Sequence, residues 1–244
     1  MPKKRKRRRL KPAPVLVLLL IANVGAGIAY SPLTSITKVR VVGAEPFDRP
    51  RLQSLLQSLT GTPCNQVQPR AVETNALQIP EAFDSDFARN IFGHAELKMQ
   101  YRQPVARLEA HPDQLLDISG QIYSSRQVVG VLPGLRLPSE SILPLMSFMD
   151  SWPSKSIAEV CAHLPRQIPR DGVVLEVMSR GELCLNIGQS GRIVFGSTGQ
   201  IDEKLNKLET LLKENPRLLT ETKELNLTAP SHPVSKPITE APKP

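Results

Sequence analysis

The first pattern along the chain is an uninterrupted apolar run at residues 15–33, VLVLLLIANVGAGIAYSPL, free of Asp, Glu, Lys and Arg. As a helix rising ~1.5 Å per residue it would reach ~28 Å, near the ~30 Å of a hydrocarbon core. It predicts a membrane-spanning helix. The pattern then turns polar and changes period. Residues 36–43 (ITKVRVVG) alternate as a strand with one polar face, closed by Gly43. Leu52, Leu55, Leu56 and Leu59 recur at helical spacing, with Asp48 as the cap, Pro50 in the first turn and Gly61 as the stop. A weaker helix starts at Pro69. Phe87, Ile91 and Phe92 mark a strand that turns at Gly93-His94. Ala95, Leu97, Met99 and Tyr101 then alternate with Glu96, Lys98, Gln100 and Arg102 until Pro104. Residues 34–110 thus predict the order β-α-α-β-β.

In the second half, Ser119-Gly120 predicts a two-residue hairpin turn inside residues 114–123. Ser139 caps a helix carrying Ile142, Leu143, Leu145, Met146 and Met149, limited by Pro144, and Ser156 caps another with Ile157, Val160 and Leu164. Residues 173–178, 182–187 and 192–195 read as an antiparallel meander. From Asp202 a helix places Leu205, Leu208, Leu211 and Leu212 on one face and Lys204, Lys207, Glu209 and Lys213 on the other. Residues 223–228 (KELNLT) read as a final strand, and the Pro-, Ser-, Thr- and Lys-rich stretch 229–244 predicts disorder. The expected class is α+β: a transmembrane helix, a β-α-α-β-β domain, and a mostly antiparallel β domain with flanking helices over residues 111–228.

Charge sharpens the topology. Lys3, Lys4, Arg5, Lys6, Arg7, Arg8, Arg9 and Lys11 precede the apolar run. The whole chain carries a formal charge of +8, and outside this block of eight the remaining 23 Lys and Arg match the 23 Asp and Glu. The excess therefore reads as a topology signal that keeps residues 1–14 in the cytoplasm and exports the rest. A neutral exported part has no diffuse grip on nucleic acid. Two other readings stay open: a cleaved signal peptide with Gly27-Ile28-Ala29 as its small-x-small site, and a nuclear or nucleic-acid-binding basic patch.

Candidate chemistry is sparse. No G-x-S-x-G, P-loop, H-E-x-x-H or G-x-G-x-x-G occurs, so we expect no enzyme, no cofactor and no metal. Cys161, His163 and Cys184 offer ligand types but not a zinc spacing. Asp84 and Asp86 read as solvated caps. The three cysteines are too few for a disulfide scaffold; Cys161 with Cys184 is the favoured pair, and free buried thiols are the alternative. What remains is partner binding. A strand at a sheet edge shows unpaired backbone groups to which a partner adds a strand. The candidate is the last strand, Lys223, Glu224, Leu225, Asn226, Leu227 and Thr228. The alternative is an ordinary terminal strand blunted by Lys223, Pro230 and Pro233.

Short motifs carry a resemblance. The order of residues 34–110, just after a single anchor, resembles a POTRA domain. FGHAELKMQYRQPVARLE, with Arg102, Pro104, Val105 and Ala106, resembles the strand and E-R-x-P-V-A sequence of the FtsQ/DivIB cell-division proteins, with Tyr101 where the family has an acid. QLLDISGQIY is similar to the family's next hairpin, with Asp117, Gly120 and Tyr123 in register. Leu183, Leu185, Gly188, Gly199, Lys204 and Leu205 follow the closing order of its β domain, and Asn226 and Thr228 stand where the family has an acid and an arginine. The resemblance implies a non-enzymatic divisome scaffold at the bacterial plasma membrane and septum. Its implied partners are bitopic coiled-coil proteins of the FtsB/DivIC and FtsL type, bound at the C-terminal edge, and through them the septal peptidoglycan synthase. A POTRA-bearing component of protein export or outer-membrane assembly is the alternative, and an envelope enzyme using His163 or Asp117 is a second.

Overall fold

The computed structural model describes residues 16–21, 23, 27, 34–126, 130–138, 154–178, 180–188 and 191–238. Among them no helix is long and apolar enough to cross a membrane. This corrects the expected membrane-spanning helix. A span needs ~20 consecutive apolar helical residues, whereas the continuous described helix inside the apolar run covers residues 16–21. The basic block at residues 3–11 and the helix expected at 139–149 lie outside the described residues.

The chain divides into two compact units, Met1–Tyr101 and Arg102–Pro244. The first contains β1 (Lys38–Val42), α1 (Arg49–Gln57), α2 (Pro69–Ala76), β2 (Ala82–Arg89) and β3 (His94–Tyr101). Its sheet order is β1-β3-β2. Val39 and Val41 lie parallel to Ala95 and Leu97, and Phe87 faces Leu97 across the antiparallel hairpin. Proline stands in the first turn of both helices, where its missing N–H costs nothing. Leu52 and Leu56 of α1, with Val72 and Ala76 of α2, pack with Phe87, Leu97 and Met99 in one core. Asp48 makes no side-chain cap to α1. Its carboxylate instead accepts a hydrogen bond from the Tyr101 hydroxyl at 3.1 Å. Burial and that carboxylate push the Tyr101 phenol up to about 12.

The second unit contains β4 (Pro104–Leu108), β5 (Gln114–Asp117), β6 (Ile122–Ser124), β7 (Gly134–Arg136), α3 (Ser154–Ala162), β8 (Val173–Val177), β9 (Leu183–Ile187), β10 (Arg192–Gly196), α4 (Ile201–Glu214), α5 (Leu218–Glu221), β11 (Thr222–Asn226) and β12 (Val234–Pro237). The strands form one nine-stranded sheet in the order β12-β11-β10-β9-β8-β7-β4-β5-β6. The sheet is mixed, with five antiparallel and three parallel strand pairs. β4 with β7, β7 with β8, and β10 with β11 run parallel. Parallel neighbours need long crossovers: α3 lies between β7 and β8, and α4 and α5 between β10 and β11. β8-β9-β10 is the meander that the tight turns suggested, and β4-β5-β6 is a second antiparallel run.

One face of this sheet is apolar. Ile157, Ala158, Val160 and Cys161 of α3, with Leu205, Leu208 and Leu212 of α4, pack with Leu175, Leu183, Leu185, Ile193 and Phe195. Each such leucine fully withdrawn from water contributes roughly 1.5–3 kcal/mol. Lys204 departs from its expected polar face. It is 1% exposed, and its Nζ donates to the Ser197 carbonyl at 2.7 Å. Burial lowers its pKa.

The cysteines are free. Cys161 sits in the helix-side core, whereas Cys184 alternates with Leu183 and Leu185 and so points from the opposite face. That separation rules out the Cys161–Cys184 pair and leaves the free buried thiols. It also keeps Cys161, His163 and Cys184 from converging, and among the described residues no group of three His, Cys, Asp or Glu is placed to hold a metal.

Candidate partner-binding edge

The motif residues of β4 and β5 come together first. Arg102 Nη1 donates to Asp117 Oδ2 at 2.6 Å and to Gln121 Oε1 at 2.8 Å, and its guanidinium lies 5.6 Å from the Tyr123 ring centre. Asp117 Oδ1 accepts from the Ser119 hydroxyl at 2.6 Å and from the Gln121 N–H at 2.9 Å. Pro104 pairs with Asp117 across the ladder, while Val105 and Ala106 are buried in the core. The turn holds three residues, 118–120, instead of the expected two, since Asp117 N–H also donates to the Gln121 carbonyl. Gly120 has φ +86°, and a Cβ there would come within 2.8 Å of Ser154. Arg102, Asp117 and Gly120 therefore brace β4, β5 and β6. With the Asp117 side chain 2% exposed, the cluster offers a partner little surface.

The segment expected to bind partners lies elsewhere. β11 is not at the edge. It pairs with β10 on one side and with β12 on the other. Val234–Pro237, expected in a disordered tail, is the strand that covers it. Leu225 and Leu227 are buried in the core, Lys223 and Thr228 are exposed, and Asn226 Oδ1 accepts the Thr228 N–H at 2.9 Å. Glu224 faces away from the core, beside Arg192 of β10 and Lys236 of β12.

Glu224 ends a polar ladder across the face opposite the helices. Arg136 Nε donates to Glu109 Oε2 at 2.6 Å, and its Nη1 stands 4.0 Å from Glu176. Asn186 donates to Glu176 Oε2 at 3.0 Å. Arg192 binds Glu224 Oε2 through Nε at 2.7 Å and also through Nη2, and Lys236 Nζ reaches Glu224 Oε1 at 2.7 Å. Lys236 and Arg192 together hold the Glu224 pKa below the ordinary carboxylate range. Asn186, Gly188, Gly191, Arg192, Lys223, Glu224 and Lys236 line an open groove here. Pattern reading missed Arg136, Glu176, Asn186, Arg192 and Lys236. Their signal was weak: each is the polar member of a short alternating strand.

Backbone directions matter as much as side chains. The Leu227 N–H donates to the Val194 carbonyl, so Leu225 and Leu227 turn their peptide groups to β10, and Glu224 and Asn226 turn theirs to β12. By the same alternation Val234 and Lys236 face β11, in agreement with the Ile238 N–H donating to the Glu221 carbonyl at 3.1 Å. Pro233, Ser235 and Pro237 face outward, and two of these three lack an N–H. All four residues of β12 are exposed. Ordering each costs ~1–2 kcal/mol of backbone entropy, and a ladder hydrogen bond returns about 1 kcal/mol. Without apolar burial the strand is held near balance.

Compared with known proteins, the chain matches no family model and no curated relative.

Proposed function

We propose that this protein is a non-enzymatic scaffold of the bacterial division machinery, with its folded units outside the cytoplasm at the plasma membrane and septum. It recruits bitopic coiled-coil proteins of the FtsB/DivIC and FtsL type, and through them the septal peptidoglycan synthase. The observation that carries this reading is the end of the nine-stranded sheet formed by β11 and β12. Here backbone groups, a charged ladder and a weakly held strand give an extended partner segment a place to join. The β-α-α-β-β unit before it and the Arg102–Asp117 brace agree with the motif resemblance to FtsQ/DivIB proteins.

The test is a two-hybrid and co-purification assay of the full chain against defined coiled-coil division proteins of both types. A second version carries Asn226→Pro, which removes an N–H facing β12 and leaves Leu225 and Leu227 in the core, and a fluorescent fusion reports position in dividing cells. Binding by the full chain, its loss in the proline variant, and fluorescence at the septum are the expected results. A uniform envelope signal with no interaction would remove the reading.

A further inference from the structure

We infer that β12 is a removable cover and that a partner segment joins the sheet by taking its place on β11; this rests on the strand-addition reading above. A strand adding outside β12 would meet Pro233, Ser235 and Pro237, an edge on which Ser235 alone has an N–H to give. A strand on β11 meets the N–H and carbonyl groups of Glu224 and Asn226, which alternate as an unblunted ladder. Departure of β12 leaves the rest of the sheet in place. Leu225 and Leu227 remain in the helix-side core, β11 stays paired with β10, and Arg192 still holds Glu224.

The same geometry gives the chemistry of the entrant. Lys236 directly faces Glu224 and binds its Oε1. When Lys236 leaves, that oxygen loses its cation. The entrant is therefore an extended polypeptide segment with Lys or Arg opposite Glu224 and no proline at the positions whose N–H groups face β11. Its side chains need no apolar pocket, because the positions that β12 occupies are exposed.

The test uses a lock. Asn226 and Val234 are directly opposed, and hydrogen-bonded antiparallel pairs place Cα atoms ~5.5 Å apart, within disulfide range. The full chain carrying Asn226→Cys and Val234→Cys is titrated, oxidised and reduced, into a fluorescein-labelled peptide. The peptide has the sequence of residues 229–240 with Pro233→Thr and Pro237→Thr. We expect saturable anisotropy with the reduced chain, at least ~10-fold weaker binding when the disulfide is closed, and recovery on reduction. A peptide also carrying Lys236→Glu binds more weakly, and a chain ending at Thr228 binds more tightly. Equal binding by the oxidised and reduced chains means that the strand adds outside β12. That overturns the inference and leaves strand addition standing. No binding to the chain ending at Thr228 overturns both. In the unmodified chain, hydrogen exchange gives an independent reading. The amides of Val234, Lys236 and Asn226 exchange at least ~100-fold faster than those of Leu225 and Leu227. Equal protection of the two sets overturns the inference without any variant.

Discussion

Replacing Asp117 by Ala removes the carboxylate at the centre of the β4-β5-β6 brace. Three interactions go at once: the Arg102 ion pair at 2.6 Å, the Ser119 hydroxyl at 2.6 Å and the Gln121 N–H at 2.9 Å. The side chains of Arg102 and Asp117 are 17% and 2% exposed, so neither charge is freely solvated. Removing one member of a buried pair costs ~3–5 kcal/mol, chiefly because the other charge is left without its partner. Arg102 keeps the Gln121 amide oxygen at 2.8 Å and its place over Tyr123, so we expect the lower end, about 3 kcal/mol. That is a large share of a stability of roughly 5–15 kcal/mol.

The chain has two units, so a single melting curve would mix them. Native-state hydrogen exchange at the Leu115 and Leu116 amides, followed against urea, reports the second unit directly. A double-mutant cycle with Arg102→Ala isolates the pair and should give a coupling of at least ~1.5 kcal/mol. The exposed Lys213–Glu209 pair on α4 is the control, expected below ~0.5 kcal/mol. A cost under ~1 kcal/mol for Asp117→Ala, or a coupling no larger than the control's, would refute the brace.

Gln200, ahead of α4, is the one described non-glycine residue at positive φ, at φ 56° and ψ 35°. Gln200→Gly should raise stability by ~0.5–1 kcal/mol, read as a higher urea midpoint at unchanged slope. The folded pKa of Glu224 lies below its ordinary value. Its contribution is therefore present above the unfolded pKa and lost as pH falls through the folded one. The Val234 methyl resonances should hold their folded shifts at neutral pH and move toward random-coil values only below the ordinary glutamate range; movement as pH rises from neutrality would contradict the Lys236–Glu224 tie. Burial pushes the Cys161 thiol up to about 12, so it should resist thiol reagents until the second unit unfolds. Rapid labelling of Cys161 in the native protein would refute its placement.

Period-2 and period-3.6 patterns carried much of this architecture because the burial they encode is local. Leu97 and Met99 alternate in β3, and Leu205, Leu208 and Leu212 recur on α4, as their spacing indicates. Strand direction was not legible in the same way. A strand reads alike whether its neighbour runs parallel or antiparallel, and the connections decide it: through α3, through α4 and α5, and through β5 and β6 for β4 with β7. Lys204 shows another limit. Its charge argued for solvent, but its long stem lies in the core while Nζ reaches the Ser197 carbonyl.

β12 is the instructive miss. Pro233, Ser235, Lys236 and Pro237 are the composition of a disordered tail, and every residue of the strand itself is exposed. The strand exists because β11 presents a ladder of peptide groups and Glu224 presents a carboxylate. Those features belong to the preceding strand, so the tail's own composition holds no trace of them. The same reason makes β12 exchangeable: a strand specified by its acceptor, rather than by its own side chains, can be replaced by any segment that offers the acceptor the same backbone groups and a cation. The prolines that kept the segment from reading as a strand point outward, away from that ladder. There they leave the contact with β11 intact and blunt the edge against further growth. Composition that argues against a strand is therefore compatible with one at a sheet's rim, where a chain needs to pair on one side only.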